Sequence, residues 1–469
     1  MAPILFRSTN RQSPAVNLRE ALLQGQAPDR GLYLPDDFPK LAPEEIAAFA
    51  RLPYHEIALR VLSRYTEGII SNDDLAALCR EACNFDVPLE KVHDRVHVMR
   101  LDQGPTASFK DFGARMMARL MGCFLREDDR QFTILTATSG DTGAAVAHAF
   151  HNVPGVHVIV LFPFAEVSMS QRKLMTTLRD NVRTVAIDGK FDDCQAMVKQ
   201  AFSDPALKHI SLSSANSINI GRLLPQSVYY FYAAARIAKP GEPIVFSVPS
   251  GNFGDMMGSV VARQMGLPVK KIIASVNDND AFPRFLASGR YQKVVPSRNS
   301  VSNAMNVGHP SNLARLVAMY GGRMDETGRI HQMPDLAAMR RDLFSSSVSD
   351  ERTRATIQEV WTKYELLLEP HGAVAWRGFQ DWLELEGFGV PASAGSDRLK
   401  AELQTGGVPA VILETANPAK FPEEIEKTIG FAPDVPPAMT AAIQLPEDFD
   451  RMGADYEKFR EYLIAKQAT

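Results

Sequence analysis

From about residue 96 onward, apolar runs with β character alternate with helix-like segments, and this rhythm limits the fold more than any other feature of the chain. The runs are FTILTA (132–137), HVIVLF (157–162), RTVAID (183–188), PIVFSVP (243–249) and KIIASV (271–276). Between and after them lie DTGAAVAHAF, DDCQAMVKQAF and DMMGSVVARQMG. Strands that are apolar throughout are buried on both faces, and intervening helices join them in parallel, so the pattern predicts an α/β fold. After about 320 the helices lengthen, a small-residue linker PASAGS occupies 391–396, and a further strand, Ala410 to Glu414, returns to the sheet. Residues 1–95 show helical patterns broken by Pro-rich turns and no such alternation. The expected division is a separate N-terminal domain over 1–95, an α/β region over 96–430 and a C-terminal extension over 431–469. A length of 469 residues fits two or three domains of roughly 150.

Charge and composition remove several function classes. With 51 basic and 55 acidic residues the formal charge is −4, which supplies no basic field for nucleic acid or an anionic membrane. The longest strongly apolar stretch, Val158 to Phe164, is interrupted by Pro163 and falls far short of the roughly 20 residues that span a bilayer. Cys79 and Cys83 share a helical face but have no second Cys or His pair nearby, His55-Glu56 lacks the second histidine of H-E-x-x-H, and His93 and His97 lie on extended chain. No metal site is expected. Four cysteines in a long chain fit a reducing cytoplasm. The N-terminal stretch, in which a helix with Glu20 begins early, reads as part of the fold and not as a leader.

Two strand-to-helix turns could carry chemistry. Strand 133–137 runs into Thr138, Ser139, Gly140, Asp141, Thr142 and Gly143, and strand 244–248 runs into Ser250, Gly251, Asn252, Phe253, Gly254 and Asp255. In each, glycines let backbone N–H groups converge at a helix start, which makes a seat for an anion. One such turn is also what any α/β protein uses to begin a helix. Two of the same build, at the edge where open α/β sheets bind ligands, point to a ligand with two anionic groups. Nucleotide signatures do not compete: G-x-x-x-x-G-K-[ST] is absent, and the G-x-G-x-x-A run at 387–392 contains a proline and follows an acidic helix. Lys110, between Phe109 and Asp111 before an amphipathic helix, sits in an apolar neighbourhood that would lower its pKa and free its amine. A neutral lysine and two anion seats together suit pyridoxal phosphate and an amino acid.

Six segments carry a family resemblance, in this order: GPTASFKDFG, ATSGDTGAAV, NSINIGRLLPQSVYYF, SVPSGNFGD, EPHGAVA and ETANPAKF. Together with GLYLP near the start, they resemble the threonine synthases of the longer bacterial and fungal type, over nearly the whole chain. The resemblance implies the type II pyridoxal-phosphate fold, with two parallel-sheet α/β subdomains plus the N-terminal domain. It implies conversion of O-phospho-L-homoserine and water to L-threonine and phosphate. Lys110 is implied to bind the cofactor aldehyde, Gly251, Asn252, Phe253, Gly254 and Asp255 its phosphate, and Thr415 its pyridine nitrogen. Thr138, Ser139, Asp141 and Thr142 are implied at the substrate carboxylate, and Asn216, Ser217 and Arg222 at the substrate phosphate.

Residue chemistry refines these assignments. Arg222 can offer a guanidinium fork to two phosphate oxygens. Asp141 would repel a carboxylate, so it is expected to cap the helix behind the seat while Ser139, Thr142 and backbone N–H groups hold the substrate. A hydroxyl at Thr415 is expected to hold the ring nitrogen protonated less firmly than a carboxylate would. Arg115, Arg119, Arg172 and Lys173 are expected on solvated helix faces. Another type II enzyme such as a serine or threonine dehydratase is the alternative, although it would need neither Arg222 nor the N-terminal domain. A non-catalytic amino-acid-binding protein is the second alternative. A monomer or homodimer acting on a small molecule is expected.

Overall fold

The structure, a computed structural model, describes residues 3–126, 131–387 and 407–467. The linker at 391–396 and most of the glycine run at 387–392 lie outside the described residues. Among the described residues, two sheets dominate. The first runs Leu343–Phe344, Val269–Ser275, Ile244–Pro249, Ala410–Glu414, Val96–Arg100, Leu89–His93, parallel except for the last pair. The second runs Asp450–Gly453, Val182–Asp188, Val156–Pro163, Phe132–Ala137, Leu212–Ser213 and is parallel throughout. All five runs read from the sequence become strands, and Ala410–Glu414 inserts between Val96–Arg100 and Ile244–Pro249.

Sheet membership departs from the expected divisions at two places. The strand Leu89–His93 pairs antiparallel with Val96–Arg100, so a boundary at 95 cuts a hairpin. His93 and His97 sit on its two arms, not on one strand. Within 431–469, Asp450–Gly453 adds a parallel strand beside Val182–Asp188, and the helix Tyr456–Gln467 buries Phe459 and Leu463 against that sheet. The N-terminal region also holds a two-stranded antiparallel sheet, Phe6–Ser8 with Tyr33–Pro35. These strands are too short for a period-2 pattern to register.

Each sheet is apolar on both faces because each is covered on both. One cluster joins the first sheet to helices Asp350–Tyr364 and Pro370–Leu385 through Val98, Val245, Ile357, Trp376 and Ile412. Another joins the second sheet to Phe191–Ser203 through Leu135, Leu161, Cys194 and Met197. The largest cluster fills the space between the sheets and continues without a break into the N-terminal helices, from Phe6, Leu18 and Ile57 to Phe112, Tyr229 and Met256. Local signals agree with these elements: Asn17 and Glu20 form a reciprocal capping box, and Ser349 accepts the Arg352 N–H at the head of its helix. No helix among the described residues is long and apolar enough to cross a membrane.

The four basic residues expected on solvated faces are ties between segments. Arg172 makes a paired contact with Glu447, and Lys173 reaches the Ile443 carbonyl at 2.6 Å. Arg115 donates to the Ala82 carbonyl, and Arg119 to that of Ala149.

Candidate active site

The C-terminal ends of strands from both sheets open onto one cavity of about 1190 Å³. It is lined by Lys110, by 137–139 and 141–142, by 249 and 251–255, by Asn216, Ser217 and Arg222, and by Thr415. The sequence-expected residues therefore converge, although their side chains take different parts.

Lys110 heads the helix Lys110–Arg126, and the loop before it is laced to the end of strand Ala410–Glu414. Leu101 N–H donates to the Glu414 carbonyl, Phe109 N–H to that of Thr415, and Asn417 N–H to that of Ala107, at 2.9, 2.9 and 3.0 Å. Asp111 closes the turn by accepting from the Thr106 N–H and hydroxyl at 2.9 and 2.7 Å. Burial lowers the pKa of the Lys110 amine, Asp141 opposes that, and Lys420 adds to it.

The seat after strand Phe132–Ala137 is folded around Thr138, whose hydroxyl accepts the N–H groups of Gly140 and Gly143 at 2.9 and 2.8 Å. Gly140 has φ +133°, and a Cβ there would meet Gln171 at 2.8 Å. Ser139 and Thr142 line the cavity beside the first turn of helix Asp141–Phe150, whose leading N–H groups have no partner within the helix. Asp141 does not cap that helix. Its carboxylate lies 2.9 Å from Lys420 Nζ, 3.4 Å from Lys110 Nζ and 3.1 Å from Gln171 Nε2. Two buried cations attract it more strongly than the first-turn amides do. Burial pushes its pKa up, but Lys420 and then Lys110 overcome this and hold the carboxyl well below the usual range.

The second seat follows strand Ile244–Pro249. Phe253 adopts φ +64°, a left-handed conformation that is an outlier for a bulky residue, and helix Gly254–Gln264 starts directly after it. The Phe253 ring is buried against Phe282, so its part at the seat is its backbone. A Cβ on Gly251 would lie 2.9 Å from the Ala304 carbonyl oxygen, which explains glycine there. Asn252 locks the turn: its amide donates to Ser217 Oγ at 2.9 Å, and its Oδ1 accepts the Ser311 N–H at 2.5 Å. Asp255 offers no cation-like contact to an anion. Its carboxylate accepts from Tyr229 and Tyr230 hydroxyls at 2.5 and 2.7 Å, and burial, opposed by those bonds, pushes it up to about 6.

On the third wall Asn216 Oδ1 accepts from the Thr136 hydroxyl at 2.5 Å, and Ser217 Oγ accepts from the Asn252 and Asn312 amides. Arg222 is different. Its Nη1 donates to the Ala215 carbonyl at 2.6 Å, its buried Nε has no hydrogen-bond partner, and it forms no ion pair among the described residues. Burial, partly offset by Asp111, lowers it to about 10.

Several residues of the site were not singled out from the sequence: Lys420, Glu369 and His371, and the Asn312–Arg315 pair. The first three stand in ETANPAKF and EPHGAVA, so the signal was present without an assignment. Arg315 is fully buried and donates only to oxygens of neutral groups: the Tyr33, Ser217 and Ile218 carbonyls and Asn312 Oδ1, at 3.0, 3.0, 2.6 and 2.6 Å. It ties the N-terminal strand to the wall of the cavity.

These residues fit pyridoxal phosphate. A largely buried lysine with lowered pKa, a turn too tight for a Cβ and a buried guanidinium with no ion-pair partner among the described residues match a ligand that carries an aldehyde and anionic groups. Residues 86–390 match the family model described as pyridoxal-phosphate dependent enzyme, and the chain is a pyridoxal-phosphate-dependent lyase of the type II fold. Residues 5–83 match the model for the threonine synthase N terminus, and 392–463 that for threonine synthase, C-terminal. The chain belongs to the threonine synthase family. It is 40% identical to the threonine synthase of Haemophilus influenzae over 451 residues, 96% of this chain and 97% of that one. The pyridoxal-phosphate-bound threonine synthase of Brucella melitensis has a TM-score of 0.88 at 34% identity, with 98% of both chains covered. Yeast threonine synthase has a TM-score of 0.86 at 28% identity, with 99% of both covered.

Proposed function

We propose that this cavity converts O-phospho-L-homoserine and water to L-threonine and phosphate, with the following division of labour. Pyridoxal phosphate, when bound, supplies an aldehyde for the amino group and a conjugated ring that draws electrons from the substrate carbons. Lys110 would hold the cofactor between turnovers. The N–H groups around Gly251, Phe253 and Gly254 would take its phosphate, and Thr415 would face its ring nitrogen. The Asn252 side chain would serve the turn and that of Asp255 the two tyrosine hydroxyls, neither holding the anion directly.

Ser139, Thr142 and the leading amides of their helix would hold the substrate carboxylate and aim the α-hydrogen at Lys110. Once free, the neutral Lys110 amine would take the protons that leave the α- and β-carbons and, through its flexible stem, return protons to the α- and γ-carbons, while phosphate leaves the γ-carbon and water adds its hydroxyl at the β-carbon and gives its remaining proton to the phosphate. Asp141 stabilises the ammonium that Lys110 becomes. Arg222 would receive the substrate phosphate and hold it as it leaves, with Asn216 and Ser217 shaping that wall.

The observation that carries this reading is Arg222, a buried cation on the cavity wall without an ion-pair partner among the described residues. A dehydratase acting on unphosphorylated serine or threonine has no use for it. The test is product analysis with the purified holoenzyme. Threonine and phosphate released in equal amounts from O-phospho-L-homoserine, with no ammonia from serine or threonine, support it. Ammonia and an oxo acid from either amino acid would replace it with the dehydratase reading.

A further inference from the structure

The Thr415 hydroxyl donates to a buried carboxyl group, and that contact decides which way its hydrogen points. Glu369 is fully buried, and its Oε1 lies 3.3 Å from Thr415 Oγ1. It is the N-cap of helix Pro370–Leu385, where it accepts the His371 N–H at 2.7 Å and the Gly372 N–H at 3.0 Å. His371 Nδ1 also contacts Oε2. The Ala304 N–H donates to His371 Nε2 at 3.1 Å, so Nε2 carries no hydrogen and the imidazole proton sits on Nδ1, directed at Glu369. The carboxylate thus meets three donors that cannot turn, at the positive end of a helix.

The surrounding charges agree. Glu414, whose Oε1 accepts the Glu369 N–H at 2.7 Å, is the carboxyl pushed well above its ordinary range, by burial and then by the charge on Glu369. Arg100, turned toward Asp102, opposes that rise without removing it. Thr415 adds a rotatable donor to these fixed ones, and donating to Oε1 turns its lone pairs to the cavity.

We infer that Glu369 is a positioning residue for Thr415: it draws the hydroxyl proton away from the cavity, so that Thr415 presents an acceptor and holds the pyridine nitrogen of the cofactor protonated. The inference rests on the proposed placement of Thr415 at that nitrogen. It reverses the expectation drawn from Thr415 alone, since the acidic group that favours the protonated ring stands one hydrogen bond further back. A protonated ring draws electrons more strongly from the substrate carbons.

The test is ¹⁵N NMR of holoenzyme loaded with pyridoxal phosphate labelled at the ring nitrogen, in wild type, Glu369→Gln and Thr415→Val. The glutamine must keep its carbonyl oxygen on the two His371 donors. Its amide then faces Thr415, at the loss of the Gly372 bond, and the hydroxyl reverses. The expected result is a pyridinium resonance in wild type that moves to the unprotonated position in both variants. An unprotonated resonance in wild type overturns the inference without any variant, even if Glu369→Gln fails to fold. A shift in Thr415→Val with none in Glu369→Gln leaves the Thr415 placement standing and removes the role of Glu369. No shift in Thr415→Val removes the placement and the inference with it.

Discussion

The Lys420 ammonium lies 2.9 Å from the Asp141 carboxylate, and neither side chain is exposed to water beyond a trace. Lys110 is the third member, 3.4 Å from the other carboxylate oxygen. The cluster has a consequence for catalysis. Because Lys420 also faces Asp141, Lys110 can lose its proton, or leave to bind an aldehyde, without leaving the carboxylate unpartnered. A Lys110–Asp141 pair alone would keep the lysine charged.

Removing Asp141 therefore leaves a buried ammonium uncompensated, an expense of about 3–5 kcal/mol. Asp141→Asn is expected to lower the urea midpoint accordingly, and Asp141→Asn with Lys420→Met to recover much of the loss. Since the folded-state carboxyl is held below its unfolded value of about 3.9, its contribution is present above that pH and disappears on acidification below it. Equilibrium unfolding from pH 3 to 7 should show this acid limb weakened in Asp141→Asn. Equal stability of single variant and wild type would dismiss the cluster as a stabilising unit.

Asp255 predicts the opposite slope. Its pKa rises from 3.8 to about 6 on folding, so it favours the folded state below the unfolded value and loses that support as pH rises to about 6, a change of about 3 kcal/mol. Asp255→Asn keeps an oxygen for the two tyrosine hydroxyls and carries no charge. Its stability should be flat over pH 4–6, where the wild type declines, while its affinity for pyridoxal phosphate is retained. A large loss of cofactor affinity, read by fluorescence titration, would return Asp255 to the phosphate seat.

Arg222→Lys keeps a charge but loses the fork and the tie to Ala215. Forfeiting one charge-assisted bond is worth about 1.5–3 kcal/mol, which corresponds to roughly 10–100-fold in kcat/KM for O-phospho-L-homoserine. Inhibition by inorganic phosphate should weaken in parallel. Unchanged kinetics on both counts would move the substrate phosphate elsewhere on the wall.

The backbone rhythm of the chain was readable because apolar strands such as Ile244–Pro249 need no distant partner to declare themselves. The glycine turns were readable because glycine marks a tight strand-to-helix turn, although the contact that requires it at Gly251 is the Ala304 carbonyl, which the sequence does not place there. Side-chain direction was not. Asp141 and Asp255 stand in the two glycine-containing strand-to-helix turns, yet one answers to Lys420, 279 positions away, and the other to tyrosines on a neighbouring helix. Asp450–Gly453 escaped as a strand because DRMG is polar and becomes one only by pairing with Val182–Asp188.

Arg315 couples the N-terminal region to the cavity through four hydrogen bonds, with no counter-ion among the described residues. Burial lowers its pKa to about 9, so the fold tolerates a poorly solvated cation there for what the fork connects: Tyr33 on one side, Ser217 and Ile218 on the other. Arg315→Met would leave those carbonyls and Asn312 Oδ1 without this donor, at about 1–3 kcal/mol for each one that finds no other. Ser217 in turn accepts from Asn252 and Asn312, so movement of its loop reaches the turn at 251–255. The expected outcome is a lower unfolding midpoint together with weakened binding of cofactor and a raised KM, whereas Arg315→Lys should restore stability only in part. A variant that loses stability but keeps wild-type KM and cofactor affinity would show that Arg315 supports the core alone and does not set the cavity wall.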